Sequence, residues 1–365
     1  MSEDAFTTSA VLFSPRQLTL ARHSKGLKKV DLARLLDVSA AAITQFENAS
    51  ARPSSAVMKR ISLSLGFAPD FFRIGAADMD DDNSTDAFFR SLRSTTLLQR
   101  QQALANARLI YRLSQVLERH VELPAVDLPS PVEHSSAMTR EDVETAANRL
   151  RATWSLPVGP VRNVVQLLEA HGVLVARTSF ATARVDAFSK RFKTRPFIML
   201  GDDKGDTARS RFDAAHELGH LLLHEDEEPG SATLERQAHQ FAAAFLMPSS
   251  EIRAELPRRV DLRDYARLKQ RWGASISALL YRARDLDVIT PVSYQRAIAK
   301  MSALGWRVNE PAPLPTIEWP VLLPRAMRIL EQDGYSVEQL ENDALIPRDL
   351  LVRAVKDHGK TAISL

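Results

Sequence analysis

The 365-residue chain contains no cysteine. That absence removes any disulfide framework, zinc-finger thiolate set or cysteine nucleophile, so a bound metal would have to be held by His, Asp or Glu. The chain also lacks any apolar run approaching the roughly 20 residues of a membrane span. Its start, Met1-Ser-Glu-Asp, has neither the positive nor the apolar region of a secretory signal. A cytoplasmic protein with no membrane partner is the expectation. Glycine is sparse, 13 residues against 19 prolines, which excludes collagen-like and low-complexity readings. What is present, 45% hydrophobic and 25% charged residues, describes a globular chain whose length asks for two or three domains.

The net charge of +3 is uninformative, but its distribution is not. Residues 14–73 hold ten Lys or Arg against four acids, a local charge of +6. An acidic stretch follows (Asp78, Asp80, Asp81, Asp82, Asp86), then a helical pattern from Thr85 to about Val121 that ends among Pro124, Pro129 and Pro131. A further break is the run Glu310-Pro-Ala-Pro-Leu-Pro. The expected divisions are a head over 14–73, a connector with a long helix and proline-rich linker over 74–138, a second domain over 139–310, and a helical C-terminal module over 316–365. The module reads as helices capping the second domain, or else as a partner or effector unit. The fold class expected is α+β and mainly helical.

In the head, short apolar-periodic segments fall at about 15–24, 28–36, 39–48, 54–65 and 69–73, with Ser39 and Ser54 where N-caps are wanted. Lys28 to Asn48 reads as two helices joined by a tight turn, packed through Leu32, Ala33, Leu36, Val38, Ile43 and Phe46. This is the helix-turn-helix arrangement, whose second helix enters the major groove. A charge of +6 suits phosphate neutralisation; the competing reading is a helical interaction module with merely solvated lysines.

The second domain shows three short strand patterns, Gly172 to Arg177, Arg184 to Phe188 and Pro196 to Leu200, among helices. After them comes His216-Glu-Leu-Gly-His-Leu-Leu-Leu-His224. His216 and His220 lie one helical turn apart on one face, where two imidazoles can share a metal, and Glu217 is the expected general base. A catalytic zinc takes three protein ligands and leaves one position open. His224 would lie about 12 Å along the helix axis from His216, too far to converge on the same ion. The stronger third ligand is Glu235, on a following helix stopped at Pro248, with a solvated helix-start carboxylate as the competing reading. His239, one turn on, is either an orienting neighbour or ordinary packing; Asp213 is either an orienter of His216 or an exposed acid. Two His and one carboxylate could also hold Fe or Mn, but the base beside them favours Zn2+.

Two resemblances join these readings. Gly26-Leu27, Leu32-Ala33, Val38-Ser39, Ile43, Glu47-Asn48 and Pro53-Ser54 resemble the lambda-repressor-like helix-turn-helix domains. That resemblance implies that Ala40, Ala41, Thr44 and Gln45 face base edges of double-stranded DNA while Lys29 and Asn48 face phosphates. Ala49 stands where that family usually has glycine, so an altered turn after the recognition helix is expected. From about 140 to 310, the His216-to-His224 run, Glu235-x-x-Ala-His-x-Phe-Ala-Ala-x-Phe-Leu-Met-Pro, Ser275-Ile-Ser-Ala-Leu-Leu-Tyr-Arg-Ala and Gly305-Trp-Arg resemble the ImmA/IrrE zinc metallopeptidases. Asp213 and His239 depart from that family's usual residues. The resemblance implies a zincin-like domain that cleaves a DNA-bound repressor, often in stress response or mobile-element control, with zinc on His216, His220 and Glu235. Partners so implied are DNA, a repressor as protein substrate, and a second copy of the chain. The rival expectation is a DNA-binding regulator, of a toxin-antitoxin or stress operon, whose metal-site domain senses or scaffolds without proteolysis.

Overall fold

The computed structural model describes residues 3–73, 96–129, 137–178, 187–202, 206–224 and 231–358. The acidic stretch at 78–86 and residues 225–230 lie outside them.

The head is built from α1 (Glu3–Val11), α2 (Pro15–Ser24), α3 (Lys29–Leu35), α4 (Ala40–Glu47) and α5 (Ser55–Leu65), closed by a short 3-10 turn at Pro69–Phe72. Ser39 and Ser54 cap α4 and α5, accepting hydrogen bonds from the Ala42 and Val57 amides. The apolar positions converge: Leu32, Ile43, Met58, Ile61 and Leu65 are fully buried. Helix α1, absent from the sequence expectation, adds Phe6 and Phe13 at its exit to that core.

Helix α6 (Leu97–Leu117) starts in the segment read as a connector, yet it packs along α2 and is buried through much of its length. Its far end meets the sheet, where Tyr111 stacks on Phe192 at 4.3 Å and shares a 2.8 Å hydrogen bond with Thr194. After α7 (Arg140–Thr153) and α8 (Val164–Ala170), three strands form a mixed sheet in the order β1-β3-β2: β1 (Leu174–Thr178) parallel to β3 (Pro196–Gly201), and β2 (Ala187–Arg191) antiparallel to it. The first three residues of the β2 sequence pattern, 184–186, lie outside the described residues. β2 runs to a tight turn at Phe192 to Arg195, and pairing with β3 sets its register, Ala187 against Leu200 and Arg191 against Pro196.

The sheet divides the interior into two cores. Side chains alternate across a strand, so Leu174, Ala176, Phe188, Phe197 and Met199 face the core shared with α6 and the head. Val175, Ala187, Ile198 and Leu200 face the other, built by α7 to α10 and the helices after them. Both faces are covered, which is why these strands read as apolar runs rather than as alternating patterns.

The second core contains α9 (Thr207–Leu223), α10 (Ala232–Leu246), the short α11 (Ser249–Ile252), α12 (Leu262–Trp272), α13 (Ile276–Asp285) and α14 (Pro291–Ala303). The C-terminal helices α15 (Leu322–Gln332), α16 (Val337–Ala344) and α17 (Arg348–Ala354) pack on α6 and share the first core with the head. The capping expected of them is therefore given mainly to α6. Two buried carboxylates still tie them to the second domain. Glu318 accepts from the Val164 and Val165 amides at the start of α8 and pairs with Arg211 of α9. Glu169, at the end of α8, accepts from the Val321 and Leu322 amides at the start of α15. Each supplies a cap to a helix start that lacks enough local acceptors. Among the described residues, no helix is long and apolar enough to cross a membrane.

Candidate metal centre and DNA-binding face

Helix α9 starts at Asp206, whose carboxylate caps the Ala208 and Arg209 amides, and runs to Leu223 with no internal break. It crosses α10 closely at Gly219, where a Cβ would lie 3.1 Å from the Phe241 ring and 3.3 Å from Ala238 Cα. That small residue between the two histidines lets α10 bring Glu235 to them. His216 Nε2 and His220 Nε2 are 3.1 Å apart, and each is 3.4 Å from a Glu235 carboxylate oxygen.

These separations test the fit of a metal directly. Donors at about 2.0–2.1 Å from one tetrahedral ion are about 3.3 Å from each other, and the nitrogen–nitrogen separation and the separations from His216 to Glu235 Oε2 and from His220 to Glu235 Oε1 are all of that size. The residue chemistry agrees. Burial lowers the pKa of His220, which keeps it neutral with a lone pair to give. Burial alone would raise the Glu235 carboxyl, but contact with His216 and His220 outweighs it and holds the group well below the ordinary range. Among the described residues these three form the cluster able to hold an ion.

Glu217 points from α9 to the sheet. Its Oε2 accepts a 2.7 Å hydrogen bond from Ser189 Oγ of β2, and it is 2% exposed. Burial pushes its carboxyl up to about 8, with Glu235 and Asp213 adding to the rise and Ser189 opposing it. Sequence reading missed Ser189. Only its place on the strand face turned to α9, beside Ala187, could have signalled it, and that needs the register with β3.

His224 caps the end of α9 and is fully buried. Its ring lies behind His220, Nδ1 to Nδ1 at 2.9 Å, and on its other side faces Gln237 at 3.1 Å. His239 packs edge-on to His216 with ring centroids 4.8 Å apart, and burial together with His216 lowers its pKa to about 4. Asp213 is half-buried, one turn before Glu217. Both Asp213 and His239 line a cavity of about 300 Å3 with Phe212, Ser275, Tyr281 and Tyr294. The Tyr281 side chain lines this cavity. Tyr265 is buried in the core, and burial pushes its hydroxyl up to about 12.

In the head, Ile43 and Phe46 turn inward from α4, leaving Ala41, Gln45 and Asn48 exposed along one face, with Ala40 and Thr44 half-buried. Thr44 Oγ1 bonds back to the Ala40 carbonyl at 3.1 Å. Lys29 Nζ lies 3.2 Å from Glu47, which also receives a buried Arg22 guanidinium at 2.6 and 3.1 Å. Arg22 and Glu47 thus fasten the recognition helix to α2. After α4 the Ala49 amide bonds to Phe46 O and the Ser50 amide to Gln45 O, with Ala49 at φ +60°. The left-handed Schellman turn is kept although alanine stands where glycine is favoured. Asp37 does the same between α3 and α4 at φ +50°.

A helical head presenting one exposed recognition face, joined to a domain whose adjacent helices converge two His and one Glu beside a buried Glu, defines the class. A family model described as the IrrE N-terminal-like domain, a peptidase family, matches residues 168–284, and a helix-turn-helix family model matches residues 19–72. The chain thus carries an IrrE N-terminal-like peptidase domain behind a helix-turn-helix domain, and the latter implies DNA binding. No curated protein matches it.

Proposed function

We propose that this chain is a DNA-binding regulator with a zinc-dependent endopeptidase domain that cleaves a partner transcriptional repressor. The observation carrying this reading is the His216, His220 and Glu235 triangle with an intact Glu217 beside it, inside the peptidase-family match. In it, residues 14–73 bind double-stranded DNA through Ala40, Ala41, Thr44 and Gln45 at base edges and Lys29 and Asn48 at phosphates. Residues 139–310 carry the peptidase site, and the described C-terminal helices pack on α6.

His216, His220 and Glu235 would hold zinc, which when bound would supply Lewis acidity toward the peptide carbonyl and lower the pKa of a water molecule. Glu217, in its ionised form, would take the proton from the attacking water and return it to the leaving amine nitrogen. Ser189 holds the carboxylate through Oε2, leaving Oε1 for the proton. His239, neutral at ordinary pH, lines the cavity beside the site, where the side chains of a bound peptide can lie. The enclosure of Glu217 favours one second reading, a site that senses or scaffolds without turnover. The two separate on purified protein incubated with repressors encoded beside its gene. Cleavage by the wild type and not by Glu217→Gln supports the peptidase; binding of the chain's own promoter with no cleavage by either supports the second reading.

A further inference from the structure

The ring nitrogen of a metal-binding histidine that faces away from the ion decides which nitrogen keeps the proton, and so whether the other has a lone pair to give. Behind His220 the structure contains an ordered chain of buried polar groups. Gln237 Nε2 lies 3.2 Å from the Met138 carbonyl oxygen, Gln237 Oε1 lies 3.1 Å from His224 Nε2, and His224 Nδ1 lies 2.9 Å from His220 Nδ1. Gln237 is 1% exposed, His224 0% and His220 4%, so these bonds are shielded from bulk solvent.

The direction of every bond in this chain follows from its far end. A backbone carbonyl can only accept, so the Gln237 amide must turn its NH2 toward Met138. Its oxygen then faces His224 and can only accept, which places a proton on His224 Nε2; with the enclosed His224 ring neutral, Nδ1 is left as a lone pair. His220 must therefore donate from Nδ1, and its Nε2 is left as a lone pair in the triangle with His216 and Glu235. With both rings neutral, reversing any one bond would set two donors or two acceptors face to face in a buried site.

We propose that His224 and Gln237, anchored on the Met138 carbonyl, are positioning residues that set the tautomer of His220 and so pre-form the metal site. This assigns a role to the third histidine of the run and to a glutamine on α10 that belongs to no ligand motif. The consequence for metal affinity rests on the metal-centre reading above; the tautomer itself does not. Disrupting such an orienting partner lowers metal affinity by roughly 10- to 100-fold.

The test uses the full chain, with zinc ion competed against a chelator and imidazole 15N–1H correlation spectra read with and without zinc. His224→Asn keeps an acceptor near the position of Nδ1, whereas His224→Leu and Gln237→Met remove the relay at similar volume. The expected results are His220 protonated on Nδ1 even without zinc, zinc affinity for His224→Asn within about 3-fold of wild type, and a drop of roughly 10- to 100-fold for the two apolar variants. A structural role alone would not favour Asn over Leu at this buried position. Equal zinc affinity of His224→Leu and wild type would overturn the proposal, as would a proton on His220 Nε2 in the metal-free chain. Should the wild type bind no zinc, the metalloenzyme reading falls, and the metal-free spectrum still decides the tautomer.

Discussion

Replacing Glu169 by Gln should make the protein more stable at pH 8 and change how its stability depends on pH. Glu169 is 3% exposed, and it accepts backbone bonds from Val321 at 2.9 Å and Leu322 at 3.1 Å. Burial pushes its carboxyl from 4.5 up to about 7, against the opposing pull of those amides and of Arg325. A folded-state value above the unfolded one means that the cost is absent below about pH 4.5, grows as pH rises through 7, and is complete by pH 8. At about 1.36 kcal/mol per unit, the full cost is roughly 3 kcal/mol, of which most accrues between pH 5 and 8. Gln keeps one acceptor oxygen for the α15 amides and loses about 1 kcal/mol of hydrogen bonding. The net expectation is a gain of roughly 2 kcal/mol at pH 8 that shrinks to about zero at pH 5. Urea unfolding of the full chain at pH 5, 6, 7 and 8, followed by tryptophan fluorescence, measures both curves. If wild type and variant run parallel across that range, the buried-carboxylate reasoning is wrong.

Three further outcomes follow from particular contacts. Ala49→Gly should stabilise the head by about 0.5–1 kcal/mol, since the left-handed turn it occupies costs an L-residue about 1–2 kcal/mol and glycine returns part of that as chain entropy; denaturation of the head reads it, and no gain would mean the turn differs in solution. Gly219→Val should drive α9 from α10 and lower zinc affinity more than tenfold while helical circular dichroism is retained, because even a Cβ meets Phe241 at 3.1 Å. Gln45→Ala should cost about 1–3 kcal/mol on the cognate operator and little on random DNA, which a filter-binding comparison at fixed salt distinguishes.

Local chemistry was the legible part of this chain. Ser39 and Ser54 announced the starts of α4 and α5 to within a residue because a side-chain cap and an apolar period occur together in sequence. The His216-to-His220 spacing fixed their common face because helical periodicity alone determines it. Features set by distant partners were not legible. Ser189 reaches Glu217 across 28 residues, and nothing in its own neighbourhood marks it. The apolar face of α6 shows that it is buried but not that the C-terminal helices and the head share it. Ala49 misled in the other direction: its identity suggested a changed turn, whereas the surrounding hydrogen bonds hold the backbone in the left-handed region. His224 needed the His220 ring and the Gln237 amide in place before its burial acquired a meaning.

The central claim is that His216, His220 and Glu235 hold zinc for a reaction in which Glu217 moves the proton. Its most direct test is zinc content and repressor cleavage measured on the same preparations of wild type, Glu217→Gln and Glu235→Ala. The account predicts one zinc per chain with cleavage in the wild type, one zinc without cleavage in Glu217→Gln, and neither in Glu235→Ala. Undiminished zinc in Glu235→Ala, or cleavage that survives Glu217→Gln, would contradict it.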